Sequence, residues 1–195
     1  DYIYEPFADS SAIAVFILSH ETRKRVTVYL SGDGGDELFG GYNKHLAEVR
    51  ARENNLVNRT LKAGLPLLEM LPKSRQSKFS NLFRQLQRYS EGLQLSAKER
   101  YWRWCVFVEQ NDALALLNPQ NKVDLQQLEE RKNYVLQHIR EEGTINDILM
   151  ADTQMVLPND MLTKVDLMSM ANSLEIRVPL LDYTVVNYAF TIPQK

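Results

Sequence analysis

The chain has one cysteine, no strong excess of charge and no long hydrophobic run, and each absence excludes a class of protein. Cys105 has no second cysteine to pair with, so an internal disulfide is excluded and a reducing, cytoplasmic setting is expected. A formal net charge of −2 does not favour nucleic acid or a membrane surface as a partner. The sequence shows neither a secretory signal nor an apolar stretch typical of a transmembrane helix.

Glycine is scarce as well, yet five of the eight glycines fall between residues 32 and 41. They belong to the segment Ser31–Tyr42 (S-G-D-G-G-D-E-L-F-G-G-Y), which we call the glycine loop. The mostly apolar segment 26–30 precedes it and predicts a short buried strand. A strand followed by a glycine-rich loop and a helix is where open α/β sheets bind ligands. The loop is therefore a candidate ligand site, with an acidic surface turn as the alternative.

The acids of the loop indicate which ligand suits it. Asp33, Asp36 and Glu37 would repel bare phosphate. Carboxylates do, however, hold Mg²⁺ while the ion bridges phosphate oxygens. The loop departs from the P-loop, because Gly41 and Tyr42 stand where lysine and then serine or threonine are required. It also departs from the dinucleotide fingerprint, which needs a glycine where Glu37 stands. A nucleotide site that works through magnesium is the prediction that remains.

The rest of the chain has mainly helical patterns, so the predicted fold class is α/β, predominantly helical, with a remnant of parallel sheet near its N-terminal end. Asp9, Ser10 and Ser11 are expected to cap the first helix. The predicted helices cover residues 11–22, 36–52 with an interruption at 40–41, 56–71, 77–92, 97–118 with a break near 111–112, 125–141, 145–157, 160–173 and 183–190.

Three segments resemble one enzyme family. The glycine loop resembles the S-G-[DE]-G-[GS]-D-E-L-F-G-G-Y signature of the synthetase domain of glutamine-hydrolysing asparagine synthetases. Residues 5–13 (E-P-F-A-D-S-S-A-I) resemble the E-P-x-x-D-x-S segment of that family, and residues 174–182 (L-E-I-R-V-P-L-L-D) resemble its E-x-R-x-P-[FL]-L-D segment. The resemblance implies an adenine-nucleotide α-hydrolase-like, Rossmann-like synthetase domain with a parallel sheet.

The resemblance also implies a reaction. In this family the side-chain carboxylate of aspartate attacks the α-phosphate of ATP, which gives β-aspartyl-AMP and pyrophosphate. Ammonia released from glutamine in a separate domain then displaces AMP to give asparagine. The implied cofactors are ATP and Mg²⁺, and the implied partners are aspartate, ATP and ammonia, with a homodimer as a candidate assembly. No nucleic-acid or membrane partner is expected.

Roles in the glycine loop follow from the resemblance. Ser31 and Gly32 match positions whose backbone touches ATP, and Asp36 matches a magnesium–pyrophosphate contact. Asp33 matches the catalytic acid that orients the aspartyl group, where many members have glutamate. Glu37 is expected to support Asp36 at the substrate pocket.

Two charged residues near the C-terminal end carry competing interpretations. The resemblance places Lys164 and Asp166 at the substrate pocket. The alternative is structural, because Lys164 and Asp160 are four residues apart on a predicted helix and suit a solvated ion pair.

A second charged pair has the same ambiguity. The resemblance gives Glu175 and Arg177 a supporting place at the pocket. In the structural alternative, a buried Glu–Arg or Arg–Asp network involving Asp182 locks the turn at Pro179.

The resemblance further implies that residues 1–195 are a partial synthetase domain. No pyrophosphate loop of the S-G-G-x-D-S-S type, no later catalytic-lysine segment and no glutaminase domain is present in the sequence, so the chain alone is expected to be inactive. Two other functions stay open: a related amide ligase with another carboxylate acceptor, and a non-catalytic helical interaction module. The presence of both Asp33 and Asp36 argues against the second.

Overall fold

A computed structural model describes residues 7–66, 78–118 and 123–193. Helices dominate it, and a short parallel sheet completes the fold. In chain order the elements are α1 (Ser11–Arg23), β1 (Val28–Leu30), α2 (Gly35–Phe39), α3 (Asn43–Ala51), α4 (Leu56–Ala63), α5 (Lys78–Leu93), α6 (Ala97–Cys105), α7 (Gln110–Ala115), α8 (Leu125–Leu136), α9 (Ile145–Gln154), a π-helical turn (Leu157–Leu162), α10 (Thr163–Met170), β2 (Glu175–Arg177), a 3₁₀ turn (Pro179–Leu181) and α11 (Tyr183–Ala189).

The chain divides into two compact units. Unit 1 comprises residues 1–42 and 149–195, and unit 2 comprises residues 43–148. Among the described helices, none is both long enough and apolar enough to cross a bilayer.

The sheet of unit 1 pairs β1 with β2 in parallel. Val28 lies opposite Glu175, and Leu30 lies opposite Arg177. This arrangement confirms the predicted fold class, α/β and predominantly helical with a parallel sheet. The prediction missed β2, although the alternation of charged and apolar residues from Glu175 to Val178 is typical of a strand.

The expectation of a buried strand at residues 26–30 is wrong in one respect. The strand forms at residues 28–30, but Val28, Tyr29 and Leu30 are 40%, 45% and 62% exposed. The described sheet has two strands, so few neighbouring elements cover the faces that parallel sheets normally bury.

The helix α1 packs against α10, and this contact forms part of the core of unit 1. Ala12 and Ser19 of α1 are buried, as are Val165 and Met168 of α10. Asn172, just beyond α10, ties the two helices together because its Nδ2 donates to backbone carbonyls of both. Of the residues predicted to cap α1, Asp9 accepts a hydrogen bond from the backbone N–H of Ser11 at 2.8 Å, whereas the side chain of the N-cap residue Ser10 makes no capping bond.

One buried carboxylate organises unit 2. Glu48 of α3 is 1% exposed and accepts hydrogen bonds from Arg52, just past the end of the same helix, and from Arg100 of α6. The Arg100 contacts, at 2.7 Å each, are bidentate and join the two helices. These hydrogen bonds raise the pKa of Arg100 although burial works against it.

Several predicted helix boundaries shift in the structure. The helix predicted over 97–118 breaks at 106–109 rather than near 111–112, and Arg88 Nη2 donates to three carbonyls where α6 ends. The helix predicted over 125–141 ends at Leu136. The helix predicted over 56–71 is interrupted at Gly64, because α4 ends at Ala63 and residues 65–66 are helical again. Residues 67–71 lie outside the described residues.

Candidate active site

The glycine loop leaves the sheet at the carboxyl end of β1. The backbone N–H of Ser31 donates to the carbonyl of Arg177 at 2.9 Å, so the first loop residue is still attached to β2. Gly34 then takes a left-handed conformation, with φ of 88°, and α2 begins at the next residue. A left-handed residue at this position reverses the chain sharply and suits glycine, which has no Cβ to clash. The predicted strand–loop–helix junction is therefore present.

The glycine loop packs directly on the segment 174–182. A Cβ on Gly34 would overlap Leu181 Cδ2 and lie 2.9 Å from Leu181 Cγ. A Cβ on Gly35 would lie 3.3 Å from Leu180 Cδ1. Two of the three segments that carry the family resemblance thus meet, and glycine gives the leucines room to approach the loop backbone.

Ser31 and Asp33 form a local turn within the loop. The Ser31 hydroxyl donates to Asp33 Oδ2 at 2.5 Å and accepts from the Asp33 backbone N–H at 3.4 Å. Gly32 between them is exposed, and no neighbouring heavy atom lies within 4 Å of the place where a Cβ would stand. Asp33 is half-buried, and the turn holds its carboxylate beside the loop backbone.

The neighbouring acids Asp36 and Glu37 have opposite environments. Asp36 is exposed, whereas Glu37 is 1% exposed and accepts a hydrogen bond from the Tyr42 hydroxyl at 2.5 Å. Burial, together with this bond to Glu37 and the charge of nearby Asp36, raises the pKa of Tyr42 well above its usual range. Tyr42 therefore stays a donor, and Glu37 ties the two ends of the α2 turn together.

Asp36, predicted from the sequence to contact magnesium, has an exposed side chain. Among the described residues, no group of three or more histidine, cysteine, aspartate or glutamate side chains could hold a metal ion by itself. Mg²⁺ in nucleotide sites needs only one or two protein carboxylates, because substrate phosphates and water supply the other oxygens. One exposed carboxylate beside a glycine-rich turn fits that requirement.

Lys164 lies in the interior of unit 1 and pairs with Asp9. Its Nζ lies 2.6 Å from Asp9 Oδ2 and 3.5 Å from the sulfur of Met161. The solvated ion pair between Lys164 and Asp160 is therefore a wrong prediction, because the lysine is buried and its salt bridge goes to Asp9 instead. Asp9 of the motif segment 5–13 thus forms a salt bridge to α10.

The pKa values of the two acids near Lys164 are shifted in opposite directions. Burial would raise the pKa of Asp9, but hydrogen bonds from Lys164 and Ser11 outweigh it and lower that pKa from 3.8 to about 2. Burial raises the pKa of Asp160, and the neighbouring Asp9 adds to the effect although the Lys164 charge opposes it. Asp160 Oδ1 is buried without a hydrogen-bond partner.

The other predicted pocket residues face solvent. Asp166 is exposed on α10. Glu175 and Arg177 form a 2.7 Å pair, but their side chains are 54% and 65% exposed, so the expectation of a buried network is wrong. Residues two apart on a strand project from the same face, and here that face is open. Asp182 instead caps α11 by accepting from the Thr184 N–H.

Comparison with known proteins decides the family. The model of the asparagine synthase family matches residues 1–195, the whole chain. This chain belongs to the asparagine synthase family. Asparagine synthetase [glutamine-hydrolyzing] 1 of Bacillus subtilis is 33% identical over 192 residues, which cover 98% of this chain and 29% of that protein.

Other asparagine synthetases are similar as well. A putative asparagine synthetase [glutamine-hydrolyzing] of Mycobacterium bovis is 30% identical over 210 residues, covering 98% of this chain and 28% of that protein. A putative asparagine synthetase [glutamine-hydrolyzing] 2 of Methanocaldococcus jannaschii is 59% identical over 50 residues, or 25% of this chain and 10% of that protein. The chain thus spans less than a third of the length of these relatives. No solved structure matches it significantly.

Sequence reasoning about this asparagine synthase family member missed two supporting residues. The sequence pattern indicates only a capping role for Asp9, although this residue also holds Lys164. The motif assigns no role to Tyr42 at the end of the glycine loop, yet its hydroxyl holds Glu37. A tyrosine five residues after an acid is too weak a pattern to predict a hydrogen bond, since it depends on the turn between them.

Proposed function

We propose that this chain supplies part of the synthetase site of a glutamine-dependent asparagine synthetase. The site would activate the side-chain carboxylate of aspartate with ATP, giving β-aspartyl-AMP and pyrophosphate. Ammonia from a glutaminase domain would then attack the acyl carbon and expel AMP, giving asparagine. The observation that carries the proposal is the glycine loop, which turns from β1 into α2 with Asp36 exposed and Asp33 beside its backbone.

The residues of the glycine loop would have different roles, according to their positions. Ser31 and Gly32 would present backbone to the nucleotide, and the open space at Gly32 supports close approach. Asp33 would orient the aspartyl group by pairing with its ammonium. The Asp33 carboxylate accepts a hydrogen bond from the Ser31 hydroxyl, so binding would exchange a bond to a neutral donor for one to a charged donor.

Asp36 would hold the magnesium–pyrophosphate group. When bound, Mg²⁺ supplies positive charge that lets a carboxylate approach the polyanionic triphosphate. Asp36 has an exposed carboxylate, which supports its role as the metal ligand. Glu37 is buried and bound by Tyr42, which supports a structural role for its carboxylate.

The charged residues outside the loop would shape the substrate pocket. Lys164 suits a supporting role at the pocket, because its salt bridge to Asp9 places a positive charge where α1 packs against α10. Asp166, Glu175 and Arg177 are exposed and would contact substrate or neighbouring polypeptide at the pocket rim.

The decisive experiment is isotope exchange between pyrophosphate and ATP, measured on the protein in its naturally produced form. Aspartate is compared with glutamate, β-amino acids and other carboxylic acids, each with and without Mg²⁺. We expect exchange that requires both aspartate and Mg²⁺, because adenylation is the reversible step that returns labelled pyrophosphate to ATP.

The other outcomes identify the alternatives. Exchange with a different acid alone would assign the protein to the related amide ligases. Absence of exchange with every acid, in a protein that is folded, would favour a non-catalytic helical module and would overturn the proposal.

A further inference from the structure

Gly41 lies against the side chain of Asp36. A Cβ at residue 41 would overlap Asp36 Oδ1 and would lie 2.8 Å from Asp36 Cγ. The Asp36 side chain therefore folds back over the Gly41 backbone and occupies the space that a side chain at residue 41 would need.

A tight turn creates this contact. The carbonyl of Asp36 accepts hydrogen bonds from the N–H groups of Gly40 at 2.9 Å and Gly41 at 3.1 Å. Gly40 ends α2 in a left-handed conformation, with φ of 76°. The chain thus returns to Asp36 after one turn of helix, and the bond between Tyr42 and Glu37 holds the next pair of residues in the same relation.

The need for glycine at position 41 is spatial rather than conformational. Among the described residues, the glycines with positive φ are Gly34 and Gly40. Gly41 has a backbone that an alanine could adopt. The atoms nearest to a Cβ there would be those of the Asp36 carboxylate, with the Asp36 Cα next at 3.3 Å.

We propose that Gly41 is a positioning residue that sets the orientation of the Asp36 carboxylate toward the magnesium–nucleotide group. The inference rests on the proposed function, since it deepens the role of Asp36 there. A side chain at residue 41 would turn the carboxylate away from its position while leaving its charge and the backbone turn in place.

A double-mutant cycle tests the contact without any ligand. Gly41→Ala is made in the wild-type chain, in Asp36→Asn, which keeps the shape of the side chain, and in Asp36→Ala, which removes the overlapping atoms. We expect the thermal unfolding midpoint to fall by up to about 2 °C in the first two backgrounds, because only the end of the Asp36 side chain must move away from the new Cβ. In Asp36→Ala it should stay level or rise, because alanine lowers the entropy of the unfolded chain.

Gly32→Ala is the matched control for that cycle. Gly32 lies in the same loop, has an ordinary φ, and has no heavy atom within 4 Å of the place where a Cβ would stand. It should not lower the midpoint. Equal midpoint changes for Gly41→Ala in all three Asp36 backgrounds would overturn the inference.

Binding of ATP as a function of Mg²⁺ concentration tests the consequence, measured by equilibrium titration on the naturally produced protein. We expect Gly41→Ala to weaken Mg²⁺-dependent ATP binding about tenfold or more, as is usual when the group orienting a metal ligand is lost. The double variant Asp36→Ala/Gly41→Ala should bind no more weakly than Asp36→Ala.

The possible failures are distinguishable. If the wild type binds no Mg-ATP, the proposed function fails and this inference fails with it. If the wild type binds and Gly41→Ala binds equally well, or if the two losses add in the double variant, only the positioning role of Gly41 is overturned.

Discussion

At the residue scale, the neighbouring acidic residues Asp36 and Glu37 have different environments. Consecutive residues point about 100° apart around a helix, so one carboxylate of α2 faces solvent and the next faces the interior. The buried one needs a partner because an unpaired charge inside a protein is strongly destabilising, and Tyr42 supplies it. The exposed one remains available to a ligand.

This contrast leads to a prediction for Asp36. Asp36→Asn in the naturally produced protein should reduce Mg²⁺-dependent pyrophosphate exchange by at least about tenfold, because an amide is a poor magnesium ligand. The thermal unfolding midpoint should stay within about 1 °C of the wild type, since the side chain is exposed. Parallel losses of exchange and of folded protein would contradict the assignment of Asp36 as a ligand.

Local sequence was sufficient for some residues and insufficient for others. The glycine loop follows a strand and opens a helix as its composition indicates, because left-handed turns need glycine at a few positions such as Gly34. The burial of Glu37 was not predictable in this way, since it depends on a side chain that returns to it after the turn.

At the element scale, a partly buried ion pair connects the start of α1 with α10. Lys164 and Asp9 are 155 residues apart in the chain and lie in the same unit. Their bond takes the place of the helical pair with Asp160 that the sequence spacing suggested, because α1 packs along α10.

The lowered pKa of Asp9 predicts a pH dependence of stability. The folded Asp9 binds a proton more weakly than the unfolded residue, so its stabilising effect is complete above about pH 4 and is lost as the pH falls through about 2. Chemical denaturation of the 195-residue chain between about pH 5 and about pH 2 should show this loss.

Lys164→Met is the comparison variant for that measurement. It removes the lysine bond to Asp9, so the difference in unfolding free energy between wild type and variant should shrink as the pH falls through the same window. A difference that stays constant from about pH 5 to about pH 2 would show that the pair does not lower the pKa of Asp9.

The Glu48 network makes a second prediction at this scale. Glu48→Ala leaves Arg100 and Arg52 without their buried carboxylate partner, so it should lower the free energy of unfolding by about 3–5 kcal/mol. Glu129→Ala is a control in the same unit, because Glu129 forms a partly exposed pair with Lys132. That change should cost at most about 1 kcal/mol. Similar urea midpoints for both variants would contradict a joining role for Glu48.

At the scale of the whole molecule, helices are predicted well by the sequence and the sheet is predicted less well. Apolar periodicity and capping residues act within a few positions of each other, so most helices form near their expected places. The strand β2 was missed although its residues alternate, because an alternation over so few residues is weak evidence and the partner strand β1 lies far away in the sequence.

The two-stranded sheet predicts a measurable surface property. Val28, Tyr29 and Leu30 leave apolar side chains in contact with water, so the 195-residue chain should enhance the fluorescence of a hydrophobic dye under native conditions. Leu30→Thr places a β-branched residue in the strand and should reduce that enhancement. An unchanged signal in this variant would show that the dye binds elsewhere.

The sequence by itself determined the family, the order of its three motifs and the glycine loop as a junction between strand and helix. These features depend on residue identity and on the conformational preferences of short segments, which act locally. Only the tertiary structure decided that Lys164 pairs with Asp9, that Glu37 is buried against Tyr42 and that Leu180 and Leu181 pack on the loop. Those contacts arise when distant segments fold together, and a buried charge takes whichever partner the packing brings within hydrogen-bond distance.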